Sequence, residues 1–408
     1  MALSIVANRP DPAIIGLPWS TPLEEWSGEF VVPFPRGLSR HVVRIIRLGD
    51  RVYAVKETTE EIAMREYRML RDLQRLGLPA VAAQGVVSGR TDASGEPLPA
   101  ALLTQHLRFS LPYRSLFSHG VTRENIPSLV DAVVVLLVRL HLAGFFWGDV
   151  SLSNLLFRRS AGDFAAYLVD AETGELHETV SDRMREYDLT VGCENIFAEL
   201  LDLQASGALD TDERPGSIDG HEIIALLRER YAALWRHLTD VEEFSTDEMW
   251  RIEKRIESLN DLGFDVDELA IVTDVGRDVV RIQPKVVELG HHRRELQSLT
   301  GLDVEDNQAR QLLNDLAAFT AHHGLGEEDR HLVANRWLTQ VYEPIMAMVP
   351  VDQRGKREPA EIFHEILVHR WFLSEAAGHE VDIFETARHY LDTVLATRVD
   401  EQIAAESP

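Results

Sequence analysis

The sequence predicts an α+β chain of two lobes, followed by a mainly helical region. Three observations lead there. Over residues 28–107, short apolar runs separated by turn residues read as an antiparallel five-stranded sheet with one helix inserted after the third strand. Over 108–215, a long apolar helix runs into a polar loop framed by two short strands, as expected of a helical lobe built around a loop. Over 216–408, apolar residues recur mostly at helical spacing. Residues 1–27 precede all of this as an extension whose Pro12, Trp19, Pro22 and Trp26 suit an ordered segment packed on a neighbour.

Phe30 to Pro33 is an apolar strand, and Pro35 to Arg40 is a turn. Val42 to Leu48 and Arg51 to Lys56 form a hairpin across Gly49-Asp50. Glu60 to Leu76 is a helix with Ile62, Met69 and Leu73 toward one side, ended by Gly77 and Pro79. Val81 to Val87 and Ala101 to Thr104 complete the sheet, and Gln105-His106-Leu107 is an extended connector. The next helix starts at Ile126, and strands at Leu155 to Phe157 and Tyr167 to Val169 frame the loop. A helix near Glu194 to Leu203 places Ile196, Leu200 and Leu203 on one face. Ser206-Gly207 and Pro215-Gly216-Ser217 read as a linker and a domain boundary. Beyond it, Ile271 to Val286 is the exception to the helices, a hairpin turning at 274–278. Leu312, Leu316 and Phe319 form one helical stripe, and Val333, Trp337, Val341 and Ile345 another. Ile362, Ile366 and Leu367, then Phe384 and Leu391, predict two more helices.

Composition narrows the class of protein. A chain that is 45% hydrophobic can bury sizeable cores and is not disordered. The single cysteine, Cys193, excludes an internal disulfide and suits a reducing cytoplasm. The first twenty residues have neither a basic start nor a long apolar run, so no signal peptide is expected. The most apolar stretch, Ala132 to Val138, is broken by Arg139 and His141 and is too short to cross a bilayer. The formal charge of −26 argues against nucleic acid or an anionic membrane as a general partner. Residues 1–107 are balanced, with 12 basic and 12 acidic side chains, so the rest carries the excess. Within them, 31–56 holds six basic residues and only Asp50 as an acid. That strip suits a small anionic ligand, or a sheet edge protected by charge.

The loop carries the chemistry. It reads Trp147-Gly148-Asp149-Val150-Ser151-Leu152-Ser153-Asn154, and the second framing strand delivers Asp170 to the same place. An Asp five residues before an Asn, with a further Asp at a strand end, is a phosphoryl-transfer arrangement. Asp149 can orient and deprotonate an attacking hydroxyl, while Asn154 and Asp170 can hold Mg²⁺ against nucleotide phosphates. Singly, Asp149 and Asn154 could each cap a turn, Lys56 could be a surface lysine, and Glu66 competes with Glu60 and Glu61. Order and context together carry the reading.

With Tyr53-Ala54-Val55-Lys56 and Met64-Arg65-Glu66-Tyr67 added, residues 28–205 resemble the protein-kinase-like superfamily. The likeness is nearest its small-molecule branches, the lipopolysaccharide-core sugar kinases and aminoglycoside-type phosphotransferases. It implies a bilobal kinase-like fold, ATP and Mg²⁺ as cofactors, Lys56 on the α/β-phosphates, Glu66 pairing with Lys56, and nucleotide beside Gln105 to Leu107. Departures are clear. Only Gly37 lies where a glycine-rich loop belongs, with Arg36, Ser39 and Arg40 as neighbours able to help. Trp147-Gly148 replaces the usual His-Arg, and Ala171-Glu172 replaces Phe-Gly. Glu172 reads as a solvated carboxylate, since Asp170 alone satisfies the pattern. With no Ala-Pro-Glu motif after Asp170, and Asp188 close behind, there is little room for a peptide-docking segment. That favours a small-molecule, sugar or lipid-headgroup acceptor. The alternative is a pseudokinase-type scaffold that binds nucleotide and engages a protein partner, or itself, through 216–408.

The C-terminal region resembles a domain of unknown function that often follows such kinase-like domains in bacterial proteins. His291-His292-Arg293-Arg294 reads as a charged helix start and Arg354, Lys356 and Arg357 as a solvated basic loop, with an anion site as the rival for each. His364-Glu365 with His369 misses metalloprotease spacing by one residue. No Walker loop, dinucleotide fingerprint or G-x-S-x-G elbow is present.

Overall fold

The computed structural model describes residues 2–8, 11–33, 41–49, 51–119, 121, 123–207, 219–240, 242–245, 254, 264–265, 268–273, 279–285 and 288–402. Its contacts divide into two compact units. The first holds Met1–Arg158, Ala166–Arg228 and Gln402–Pro408, and the second holds Arg159–Ala165 and Glu229–Glu401.

The first unit begins with strands β1 (Ser4–Ala7), β2 (Val31–Val32), β3 (Val43–Leu48), β4 (Arg51–Thr58), β5 (Ala83–Ser88) and β6 (Ala100–Gln105). They form an antiparallel sheet of order β1-β5-β6-β4-β3-β2. The five expected strands are there. The sixth, β1, comes from the extension and pairs Ser4 with Ser88 at the edge. The extension packs as expected: Ile14, Trp19, Leu23 and Trp26 bury against Ile46, Tyr53, Val55 and Leu103. Arg90, fully buried, fixes it there. Its guanidinium donates to the carbonyls of Trp19 at 3.1 Å and Thr21 at 2.7 Å and pairs with Glu57 at 2.7 Å. Helix α1 (Glu60–Arg75) packs against β5 and β6. Thr59 caps it, accepting the Ile62 N–H at 3.4 Å.

The helical lobe follows, with β7 (Leu111–Pro112), α2 (Tyr113–His119) and α3 (Ile126–Leu142). The helical segment Arg123–Leu142 is the one helix, among the described residues, long and apolar enough to cross a membrane, so the apolar stretch is longer than Ala132 to Val138 suggested. Most of that surface is buried, with Val133, Leu137, Val138 and Leu140 in the core. Strands β8 (Phe145–Phe146), β9 (Leu155–Ser160), β10 (Asp163–Leu168) and β11 (Glu175–Leu176) frame the polar loop, with β9 between β7 and β10. Helix α4 (Asp182–Ala205) is more than twice the length expected, and α5 (Gly220–Thr239) follows it.

In the second unit, β12 (Glu242–Ser245), β13 (Phe264–Asp265), β14 (Glu268–Thr273), β15 (Val279–Lys285) and β16 (Glu288–Leu289) precede the helices. β14 and β15 pair antiparallel as the expected hairpin, with Thr273 opposite Val280; its turn at 274–278 lies outside the described residues. Helices α6 (His291–Thr300), α7 (Asp306–His322), α8 (Arg330–Trp337), α9 (Glu343–Ala347), α10 (Pro359–Ala377) and α11 (Ile383–Thr393) enclose a core around Trp337, Phe363 and Tyr390. A π-helical turn, Leu338–Tyr342, joins α8 to α9. Three steps of four residues drift about 120° around an α-helix, and the wider turn takes up part of that drift. Val333, Trp337 and Ile345 thereby stay in one core.

Candidate active site

Lys56 stands next to the register pair Val55–Leu103 in the middle of the sheet, where β4 is hydrogen-bonded on both sides. Its Nζ lies 2.9 Å from Glu66 Oε2, 2.7 Å from Asp170 Oδ2 and 3.1 Å from Glu172 Oε2. Glu66 reaches it from the buried face of α1, beside Ala63, Tyr67 and Leu70, and is only 1% exposed. Burial alone would pull the ammonium down, but Glu66 and Asp170 hold it well above the usual lysine range. One ammonium does not neutralise three carboxylates. Burial, reinforced by Asp170, therefore pushes Glu66 up to about 7 against the pull of Lys56.

Glu172 is no freely solvated carboxylate. Its backbone N–H donates to Asp170 Oδ1 at 2.9 Å, which folds the chain back and brings its side chain to Lys56 and to His41 Nε2 at 3.0 Å. Oxygens of Glu66, Asp170 and Glu172 all lie within 4.8 Å of one another. That set of hard oxygen donors, carrying surplus negative charge and partly open at Asp170 and Glu172, fits a divalent cation such as Mg²⁺.

The polar loop is shaped by one face of α4. Asp188 Oδ2 accepts the Trp147 N–H at 2.8 Å and Oδ1 the Gly148 N–H at 2.7 Å, with His141 Nε2 3.1 Å from Oδ2. Gly148 takes φ +79°, a left-handed bend suited to glycine. One turn on, Gly192 lies so close to Val150 that a Cβ would sit 2.9 Å from Cγ1. Asn195 Nδ2 donates to the Val150 carbonyl at 3.0 Å and to Asp149 Oδ1 at 3.4 Å. Glu199 accepts the N–H groups of Leu152 at 2.7 Å and Ser153 at 2.9 Å. Positions 188, 192, 195 and 199 are one helical stripe. That polar periodicity is the signal by which Asp188, Asn195 and Glu199, all missed above, are readable.

Asn154 Nδ2 donates to the Asp149 carbonyl at 3.0 Å and to Asp149 Oδ2 at 3.3 Å, so the two loop residues meet. The Val169 N–H donates to the Asn154 carbonyl at 3.0 Å, and Trp147 Nε1 to the Asp170 carbonyl at 3.1 Å. These bonds tie the loop to the strand end bearing Asp170. The structure thus forms two groups, Lys56 with Glu66, Asp170 and Glu172, and Asp149 with Asn154 and Asn195. Gln105 ends β6 with its N–H on the Ala82 carbonyl at 2.7 Å, and Leu107 follows in the connector. Arg36, Gly37 and Arg40 lie outside the described residues.

One reading of the C-terminal half changes. Arg357 is buried rather than solvated, 2.9 Å from Glu401. Glu365 accepts the Tyr390 hydroxyl at 2.5 Å, while His369 stacks on His389, so neither serves a metalloprotease pattern. Arg293, at the charged helix start, pairs with Asp303 at 2.7 Å on an exposed surface.

Residues 45–191 match the lipopolysaccharide kinase (Kdo/WaaP) family, and residues 233–395 match a domain of unknown function, DUF4032. No curated protein matches the chain. Among solved structures, it is similar to one described as WaaP in complex with acyl carrier protein, at 17% identity and a TM-score of 0.37, over 64% of this chain and 99% of that one. The first half therefore has the expected kinase-like α+β fold, and its family match is to kinase-like phosphotransferases.

Proposed function

We propose that the first unit transfers the γ-phosphoryl group of ATP, with Mg²⁺, to a hydroxyl of a small molecule, sugar or lipid headgroup. The observation that carries this is the Lys56 ammonium held between Glu66 and Asp170, with the Asp149–Asn154 loop bonded to the strand that delivers Asp170. Lys56, oriented by Glu66, binds the donor phosphates. Asp149 aligns the acceptor hydroxyl and takes its proton as the new oxygen–phosphorus bond forms, and the bridging phosphorus–oxygen bond breaks to release ADP. Asp170, with Asn154 from the loop bonded to the strand end that bears it, would hold Mg²⁺, and the metal would neutralise charge on the phosphates. Positioning and charge stabilisation are what such a transfer requires of a protein. The α4 stripe supplies the positioning, because Asp188, Asn195 and Glu199 each bond groups of the loop that carries Asp149.

Thermal unfolding with and without Mg²⁺-ATP tests the nucleotide site. At ligand 100-fold above its dissociation constant, wild type gains about 2.7 kcal/mol, a shift of a few degrees. The gain should need the metal and vanish in Lys56→Met and Asp170→Asn. Asp149→Ala should retain it and lose transfer to acceptor hydroxyls in a screen. A metal-dependent shift with no turnover on any acceptor would favour the nucleotide-binding scaffold, and no shift at millimolar ATP would sink both.

A further inference from the structure

Residues 159–165, the turn end of the β9–β10 hairpin, belong to the second compact unit, whereas the other end, where β9 begins at Leu155 beside Asn154 and β10 ends at Leu168 two residues before Asp170, lies in the first. The turn has only two central residues, Ala161 at φ +55° and Gly162 at φ +85°. Left-handed backbone suits glycine and is strained for alanine. A strained residue persists where its surroundings over-determine it. Here the determinant is a buried carboxylate. Glu361, on α10 and 1% exposed, accepts the Ala161 N–H at 2.8 Å on Oε2 and the Gly162 N–H at 3.0 Å on Oε1. Gln308 Nε2 donates to the same Oε2 at 3.0 Å and to the Arg159 carbonyl at 3.2 Å. Arg159 pairs with Glu401 at 2.8 Å, and Ser160 and Phe164 are buried.

We propose that the second unit, through Glu361, grips the turn of this hairpin and thereby sets the spacing of Asn154 and Asp170, making Glu361 a positioning residue for the phosphotransfer site. The catalytic role of those two residues rests on the function proposed above; the mechanical coupling does not. β9 is hydrogen-bonded on both sides, to β7 and to β10, so the hairpin is a paired ribbon about 20 Å long rather than a slack loop. At its base the Val169 N–H closes on the Asn154 carbonyl. A displacement of the turn is carried by the ribbon to that bond, and with it to the side chains on either side. The region with no assigned activity is thus an internal clamp on the metal-binding end of the site.

The test uses the full chain and Glu361→Gln, which keeps the side chain's size but turns one acceptor into a donor facing a backbone N–H. Hydrogen exchange followed by mass spectrometry should show the 161–162 amides exchanging about tenfold faster or more, since a charge-assisted bond is lost. The Val169 amide at the far end should accelerate with them. Calorimetric titration should show Mg²⁺-ATP binding weakened toward that of metal-free ATP, which itself should be unchanged. If Glu361→Gln does not fold, Gly162→Ala probes the same turn from the hairpin side, where its Cβ would lie 3.4 Å from His364 Nε2 at a φ that disfavours it. Faster exchange confined to 161–162, with Val169 and Mg²⁺-ATP affinity at wild-type values, would overturn the proposal. If wild type binds no ATP, the proposed function fails while Val169 exchange still decides the coupling.

Discussion

Lys56, Glu66 and Asp170 were legible as a set because each falls at a recognisable place: late in an apolar strand, the inner face of a helix, and just past a strand. Glu172 was not. A carboxylate two residues beyond a satisfied motif is solvated by default, and only the backbone bend made by its own N–H on Asp170 brings it to the ammonium. His106 was read only as part of a connector, yet burial pulls its imidazole down to about 4. Its folded state therefore binds a proton less readily than the unfolded chain, whose histidine titrates near 6.5, and stability is lost as pH falls from about 6.5 toward 4. Between pH 7 and 5 this group should cost about 2 kcal/mol, visible as a lower urea midpoint, and His106→Gln should flatten that dependence.

Among elements, the strands of the sheet were readable from apolar runs and turn residues, but β1 is too short a run to stand out and is defined by its partner β5. Helix α4 was readable only in its second half, where Ile196, Leu200 and Leu203 repeat. The face that grips the loop is polar, with Asp188, Gly192, Asn195 and Glu199, and a search for apolar periodicity passes over it. The same geometry makes Asp188 the anchor of the loop. Asp188→Ala would leave the Trp147 and Gly148 N–H groups buried without their acceptor, at about 2–4 kcal/mol in chemical unfolding. Acceptor transfer should fall steeply while Lys56, on a different element, still binds nucleotide. Equal loss of both would place the anchor's role elsewhere.

At the scale of the whole molecule, the kinase-like first half was legible, while the role of the second half was not, since a glutamate such as Glu361 in Pro359-Ala360-Glu361-Ile362-Phe363 looks like any polar residue on a helix. The first unit also extends into α5. Ile223 and Leu227 line an apolar cavity with Leu129, Val130, Ile196 and Leu200. A chain ended at residue 215 should therefore expose that surface and associate, eluting in size-exclusion chromatography well above monomer size, where the full chain does not. The sheet edge carries a different consequence, for synthesis. β1 leaves the ribosome before the other strands of its sheet but pairs only with β5, from Ser4 with Ser88 to Ala7 with Gly85. At about 5–20 residues per second it waits several seconds or more with its backbone groups unmatched. One edge strand of the finished sheet is thus made before its other strands and docked among the later ones, and the nascent chain is most open to a chaperone, or to a wrong strand, in that interval.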